Sequence, residues 1–508
     1  MIPTRPRSPR ETPLRTVAEW LTDSLVEIRA SDPERTVTGI TISSQRVAPG
    51  DLYVAPAGAR SHGASYAADA VAAGASAVLT DPAGADLCDG LDVPVLVVES
   101  PRAVVGDLAA RVYDRPADRL TLVAVTGTQG KTTTTRLAEA ALTESGVRAA
   151  VVGTVGTRVN GTDVKSSLTT PEAPDLHALF AVMAEEDVAA CAMEVSSHAL
   201  VMGRVDGVVF DVACFTNLGR DHLDFHADEE EYFAAKAELF TPQRARLGLV
   251  NVDDEHGRRL RDDATVPVRT FSTSGPADWW ADDIRVEPGG STFTVHTPGG
   301  DSVPARVPLT GDYNVSNALC AIAALGEAGF DPRLVADGMA ASAGVPGRLE
   351  RVDVGQGFLA VVDYAHKPDA VAAALSALRP QAQGRLLIVL GAGGDRDPGK
   401  RPLMGEIAAR LADVLVVTDD NPRSEEPAAV RAAVLAGTEN VPGPERAEIH
   451  EEGDRRAAIR LAVALAGDGD VLVVAGKGHE TGQEVHGTVH PFDDRDVLRE
   501  ELRRGEAS

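Results

Sequence analysis

Residues 122–134 read LVAVTGTQGKTTT, and this stretch constrains the fold more than any other. An apolar run, Leu122 to Val125, stops at a glycine-rich turn, and Lys131-Thr132 follow. A strand, a tight turn and a helix (expected over 133–144) make a cradle for nucleotide phosphates. Backbone N–H groups around Gly127 and Gly130 can face phosphate oxygens. Lys131 can neutralise the terminal phosphates, and the Thr132 hydroxyl suits Mg2+. The full pattern has a glycine five residues before Gly130, where this chain has Val125, so the loop is a shortened variant. The alternative is an ordinary strand–turn–helix corner, in which Lys-Thr would have little structural use.

Bulk properties narrow the class. At 508 residues the chain is long enough for about three domains. Hydrophobic content of 44% and charged content of 25% are those of a globular protein with large cores. A net charge of -27 argues against a nucleic-acid surface. Cys88, Cys191, Cys214 and Cys320 form no Cys-x-x-Cys pair. They read as small core residues in a reducing compartment, not as a disulfide framework or zinc site. The N-terminus, MIPTRPRSPRETPLR, is basic and Pro-rich without an apolar segment, so it is not a secretory signal. No run of about 18 apolar residues occurs, so no membrane span is expected. The expectation is a cytoplasmic protein with neither nucleic-acid nor membrane partners.

The fold class expected is α/β in three domains. Residues 1–15 read as a disordered tail. Residues 16–117 alternate short apolar runs with Ala-rich helical stretches, a small N-terminal α/β domain closed by the linker-like RPADRL at 115–120. Residues 118–343 carry strand-like runs at Leu122–Val125, Ala189–Glu194, Val208–Thr216 and Leu247–Val252 with helical patterns between most of them. That implies a largely parallel, mononucleotide-binding sheet. Within it, 283–308 alternates apolar and polar residues around Pro-Gly-Gly turns and reads as edge hairpins. Residues 344–508 carry continuous apolar runs at Leu359–Val362, Leu386–Leu390, Val414–Thr418 and Val471–Val474. This is the buried parallel type, in a Rossmann-like doubly wound domain. The turns DYAHKPD, GAGGDRDPGK, DDNPRSEEP and AGKGHETG follow these runs. Ligands sit beyond the carboxyl ends of such strands, so a second binding site is expected there.

Several residues carry chemistry by type and spacing. Glu194 ends a strand in CAMEVSSHAL, where a carboxylate either holds a Mg2+ shared with the nucleotide or faces solvent. Asp221, His222, Asp224 and His226 crowd behind another strand, which favours a metal or phosphate role over solvated charge. In the helix 229–240, Lys236 shares a face with Tyr232 and Phe240, and spacing alone favours a snorkelling lysine. Later turns mix Asp395, Arg396 and Asp397 with Asp420, Asn421, Pro422, Arg423, Lys477, His479 and Glu480. Arginine forks suit a carboxylate or phosphate, and Asp420 with Glu480 suits an ammonium. An amino-acid-like zwitterion fits; so does a set of solvated turn charges.

Taken together these blocks resemble the Mur ligases, ATP-dependent enzymes that extend the peptide of the peptidoglycan precursor. The likeness runs from about residue 40 nearly to the C-terminus. It rests on VAPGDLYVA, TGTQGKTTT, LTTPEA, MEVSSHAL, FTNLGRDHLDFH, the lysine helix, GDYNVSN, GRLE, VDYAHKPDA, GAGGDRDPGKRPLMG, TDDNPR and GKGHE. The resemblance is to the members that add the third residue to UDP-MurNAc-L-Ala-D-Glu, and its DNPR turn implies diaminopimelate as that residue.

The resemblance implies roles residue by residue. Gly127, Thr128, Gln129, Gly130, Lys131, Thr132 and Thr133 would bind ATP, with Asn317, Arg348, Asp363 and His366. Thr132, Glu194, His222 and a carbamylated Lys236 would hold two Mg2+, with Lys131, Lys236 and His222 as the catalytic set. Carbamylation needs a neutral amine, which burial among Phe and Tyr would favour. Ser44, Thr169, Thr170, Ser196 and Arg204 would hold the UDP-linked dipeptide. Arg396, Asp420, Asn421, Pro422, Arg423, Gly476 and Glu480 would take the amino acid. The chain departs from the family's usual residues at Ser43-Ser44-Gln45, Gln129, Leu168, Met202 and Lys367. Rival readings are a lysine-adding member, a folylpolyglutamate or cyanophycin type of ligase, and a catalytically silent nucleotide-binding protein.

Overall fold

Parallel strands, buried on both faces, form the centre of each large sheet. The computed structural model describes residues 2–30, 32–58, 60–164, 168–219, 221–222, 225–287 and 289–506. Two compact units result: Met1–Ser272 with Pro276–Trp279 and Cys320–Val335, and Thr273–Gly275 with Trp280–Leu319 and Ala336–Ser508.

The first unit holds two large sheets. The N-terminal sheet orders its strands Leu25–Arg29, Val95–Val98, Ala77–Thr80, Asp51–Ala55 and Gly39–Thr41. All pairs are parallel except the outer pair of Leu25–Arg29 with Val95–Val98. In the central sheet, Ala149–Val152, Ala190–Glu194, Thr121–Thr126, Phe210–Phe215, Ala245–Asn251 and Val268–Ser272 lie side by side and parallel. Glu194 pairs with Val125, and Phe215 with Thr126. This register brings the ends of three strands level, with the phosphate-loop strand in the middle. Leu122, Ala124, Met193, Phe215 and Phe240 are among the side chains that fill the core beside it.

Two expectations need correction here. The N-terminal residues are not a free tail: Thr12–Pro13 pairs with Thr36–Val37, and the Arg5 guanidinium meets the Asp51 carboxylate at 2.6 Å. The backbone N–H groups of Arg7 and Ser8 donate to Glu185. The carboxylates that order this basic segment are far away in sequence, which is why composition alone suggested disorder. The segment 115–120 is a packed corner, not a loose linker. Pro116–Arg119 form a 3-10 turn, and Ala117 and Leu120 are buried against the central core.

In the second unit, Trp279–Glu287, Gly290–His296 and Ser302–Val307 form the expected antiparallel hairpins. The large, mostly parallel sheet of this unit runs Glu350–Arg351, Leu359–Asp363, Val471–Ala475, Leu386–Leu390, Val414–Val417 and Glu448–Glu451. All neighbours are parallel except the short first pair. The last strand in sequence, Val471–Ala475, inserts between the strands at 359 and 386. That is a topological switch, and it sets four strand-end turns side by side. All four cysteines are buried and free. Among the described residues no helix is long and apolar enough to cross a membrane.

Candidate active site

Backbone strain shapes the phosphate loop. Gly127 adopts φ +142, and a Cβ there would lie 2.0 Å from Thr216 Oγ1. Gly130 turns left-handed at φ +86 and caps the helix Lys131–Glu144. The neighbouring strand end buttresses the loop. Thr216 Oγ1 donates to the Gln129 carbonyl at 2.6 Å, and Asn217 Oδ1 accepts the Gln129 N–H at 2.9 Å. Thr128 Oγ1 and Tyr232 Oη lie 3.3 Å apart. Lys131 Nζ donates to the carbonyls of Gly127 and Thr128. Thr132 and Thr133 are buried in the first helical turn.

Glu194 is almost fully buried at its strand end. Its Oε1 accepts the Thr154 N–H at 2.8 Å, and its Oε2 accepts the Thr154 hydroxyl at 3.1 Å. Around it gather four residues expected to hold the dipeptide. Thr169 Oγ1 lies 3.2 Å from Thr154 Oγ1, and Thr170 Oγ1 donates to the Glu194 carbonyl at 2.9 Å. Ser196 caps the short helix Ser197–Val201. Arg204 Nε meets Glu172 at 2.8 Å. Ser44 stands on the N-terminal sheet, in the 3-10 turn Ser44–Arg46. That turn reaches the central part through Arg46, which pairs with Asp175 at 2.6 Å.

Lys236 is buried in the helix Glu229–Ala237, so the snorkelling expectation is wrong: its ammonium does not reach water. Nζ donates to the Gly127 carbonyl at 3.0 Å and lies 4.4 Å from the Tyr232 ring centroid. His222 adopts a left-handed φ of +54, and its Nε2 lies 3.2 Å from Asp221. Its ring packs edge-on against His198, which stacks on Phe225. His226 Nε2 contacts Ser197 Oγ at 2.9 Å. Asp224 lies outside the described residues. Among the described residues no three His, Cys, Asp or Glu side chains are grouped to hold a metal by themselves. Hard oxygen donors at Thr132 and Glu194 nevertheless suit Mg2+, which keeps waters and takes substrate phosphates as ligands.

In the second unit, Asp363 is buried at its strand end. Its Oδ2 accepts the Leu349 N–H and its Oδ1 the Ala365 N–H. Burial raises its carboxyl above the usual range, against the lowering influence of Arg348. The Arg348 guanidinium lies over the Tyr364 ring at 4.7 Å. His366 Nδ1 is 2.8 Å from the Tyr364 carbonyl, and burial, with the charge of Lys367 next, pushes its imidazole down to about 3. Asn317 bonds to Asn314.

The strand-end turns meet as expected. Asn421 Nδ2 donates to Glu480 at 2.8 Å, and Lys477 Nζ, fully buried, bonds both Asn421 Oδ1 and Glu480 at 3.1 Å. Asp420 Oδ1 is 4.0 Å from the same ammonium. Gly476 adopts φ +111, and a Cβ there would lie 2.4 Å from Asp420 Oδ2, so the position suits only glycine. Arg423, left-handed at φ +53, points Nη1 at the Gly394 carbonyl at 2.6 Å and approaches Glu484. Arg396 is exposed in its turn. Non-glycine residues held left-handed mark this turn cluster at Asp395 and Arg423, as His222 does in the first unit. Such strain persists only where surrounding contacts enforce it.

Sequence reading missed Thr154, Thr216, Asn217 and Glu484, which hold expected site residues through contacts distant in the chain. It named Lys477 only as a turn charge. Arg455 and Asp494 carried no motif at all.

This arrangement, with a phosphate loop beside a buried lysine and a carboxylate and a separate doubly wound sheet of polar turns, defines an ATP-dependent ligase architecture. Three family models match in order: "Mur ligase family, catalytic domain" over 36–113, "Mur ligase middle domain" over 125–325, and "Mur ligase, glutamate ligase domain" over 347–478. The chain is 54% identical to the UDP-N-acetylmuramoyl-L-alanyl-D-glutamate--2,6-diaminopimelate ligase of Streptomyces coelicolor, covering 99% of this chain and 98% of that one. It is 45% identical to the UDP-N-acetylmuramyl-tripeptide synthetase of Leifsonia xyli subsp. xyli, covering 98% and 97%. A solved UDP-N-acetylmuramoyl-L-alanyl-D-glutamate--2,6-diaminopimelate ligase superposes with a TM-score of 0.70 at 32% identity, covering 98% of this chain and 100% of that one. The chain belongs to the Mur ligase family.

Proposed function

We propose that this chain joins diaminopimelate to the D-Glu of UDP-MurNAc-L-Ala-D-Glu, consuming ATP and releasing ADP and phosphate. The full-length identity to ligases named for that reaction supports it. The observation that carries the acceptor choice is Arg423, held left-handed beside Asn421, whose side chain is tied to Glu480 and Lys477. A fork there suits the distal carboxylate that diaminopimelate has and lysine lacks.

The loop Gly127–Thr133 binds the triphosphate, and Lys131 spreads the charge of the transferring phosphoryl group. Asn317, Arg348, Asp363 and His366 bind the rest of the nucleotide. Thr169, Thr170, Ser196 and Arg204 orient the dipeptide so that its γ-carboxylate attacks the γ-phosphate, with Ser44 on the uridine side. An acyl phosphate results. Arg396, Asp420, Asn421, Arg423 and Glu480, on the turns that also carry Pro422 and Gly476, present the acceptor amine. The amine attacks the acyl carbon and expels phosphate. Bound Mg2+ supplies charge neutralisation at the phosphoryl oxygens; Thr132, Glu194, His222 and carbamylated Lys236 are the side chains that would hold it. Residues 16–117, 118–343 and 344–508 serve as donor, nucleotide and acceptor domains. The chain works as a cytoplasmic monomer.

The test is mass analysis of products from ATP, the UDP-linked dipeptide and a panel of amino acids. The expected result is ADP and a tripeptide product with diaminopimelate and none with lysine. Equal turnover with lysine, or no ADP release with any acceptor, overturns the proposal.

A further inference from the structure

Arg455 and Asp494 are both fully buried and lie outside every motif named above. Arg455 opens the helix Arg455–Leu465, and Asp494 opens the helix Asp494–Glu506. They meet as fork to fork: Nε to Oδ1 at 2.8 Å and Nη2 to Oδ2 at 2.6 Å. The guanidinium has donors to spare, and they go to two backbone carbonyls. Nη2 donates to Ala475 at 2.9 Å and Nη1 to Asp419 at 3.3 Å. Ala475 is the residue before Gly476-Lys477-Gly478-His479-Glu480. Asp419 is the residue before Asp420-Asn421-Pro422-Arg423. One side chain therefore ties down the roots of both acceptor turns, where a Cβ on Gly476 would meet Asp420.

We infer that Arg455, locked by Asp494, is a positioning residue for the acceptor amino acid. It touches no substrate. It sets the separation of the Asn421–Arg423 turn from the Glu480 turn, and so the distance between the groups that grip the two ends of a diamino dicarboxylate. Its positive charge also reaches Asp420 and Glu480, both of which favour the charged guanidinium. A planar fork can serve two carboxylate oxygens and two carbonyls at once, which a lysine ammonium with three donors cannot do in this geometry. The helix Asp494–Glu506 thereby belongs to acceptor recognition without contributing a contact. Glu501, on the same helix, takes Arg456 and Arg460 of the neighbouring helix and so holds the two together. The substrate side of this inference rests on the acceptor reading above.

The test uses the full chain with three variants: Arg455→Lys, Asp494→Asn and the double variant R455M/D494L. The double variant removes both charges together, which folded proteins commonly tolerate when one charge alone is not. Two measurements are made on each. In the first, KM for diaminopimelate rises about tenfold or more while KM for ATP and for the UDP-linked dipeptide stays within about twofold. In the second, hydrogen exchange at the amides of Gly394, Arg423, Gly476 and Glu480 accelerates together, with the central strand amides unchanged. Unchanged exchange in both turns, or loss in only one, overturns the inference whatever the acceptor proves to be. Equal rises in all three KM values overturn it as well. Failure of the wild-type chain to use diaminopimelate sinks the substrate assignment alone, because the exchange experiment still decides whether Arg455 couples the turns.

Discussion

Lys131 and Lys236 donate to the same oxygen, the carbonyl of Gly127, at 2.7 and 3.0 Å. One lysine comes from the helix after the phosphate loop, the other from the helix Glu229–Ala237. Two ammonium groups converging on one carbonyl make the loop strongly attractive to a triphosphate. A carbamate on Lys236, as proposed, would form where the Gly127 carbonyl and the Tyr232 ring already hold the side chain.

Lys236→Ala is expected to lower kcat by about 10–100-fold, the range for losing a group that supports a metal site. Added short carboxylic acids should restore part of the rate by placing a carboxylate in the vacated space. Steady-state ADP release with and without acetate checks this. Full activity in the unrescued variant would show that no carbamate is required.

Gly127→Ala combines a backbone angle that L-residues avoid with a clash on Thr216. It should cost about 1–3 kcal/mol of stability and abolish nucleotide binding. Thermal unfolding with and without ATP measures both. Retained stabilisation by ATP would mean that the loop tolerates a Cβ.

Arg423→Ala should raise KM for diaminopimelate, with a loss of about 2–5 kcal/mol in acceptor discrimination. KM for ATP should remain nearly constant. Parallel kinetics with diaminopimelate and lysine provide the reading, and equal weakening of ATP and acceptor would contradict the assignment.

His177 supplies a pH dependence. Its Nε2 contacts the Asp206 carbonyl at 2.9 Å, while the buried Nδ1 has no hydrogen-bond partner among the described residues. Burial drives its imidazole from 6.5 down to about 4. The folded state thus binds this proton less readily than the unfolded one. The stability it contributes is present above pH 6.5 and is lost as pH falls from there through about 4. The loss should approach about 3 kcal/mol. Urea unfolding across this range should show that slope in the wild type and a flatter one in His177→Phe. Identical slopes would place the titration elsewhere.

Much of the site was legible because its residues travel in short blocks. The phosphate loop, Glu194, the lysine helix and the DNPR and GKGHE turns each sit at a strand end or on an amphipathic helix. Apolar runs and glycines announce such places. Local chemistry then explains each block: Gly127 and Gly476 stand where the backbone must come close to Thr216 and Asp420.

What the chain order could not reveal was which far-off groups hold those blocks. Arg455 finds Asp494, Glu194 finds Thr154, and Arg5 finds Asp51 only after the strands have taken their register. The sequence by itself determined the α/β class, the family's blocks, and the strand ends and turns that carry the candidate site residues, because periodicity and turn chemistry act over a few residues. Tertiary structure alone decided that Lys236 is buried rather than snorkelling, and that the N-terminal residues are ordered. It also decided that the turns after Asp419 and Ala475 share one buried guanidinium. Burial and ion pairing are properties of the assembled core, where the partner is chosen by folding and not by proximity along the chain.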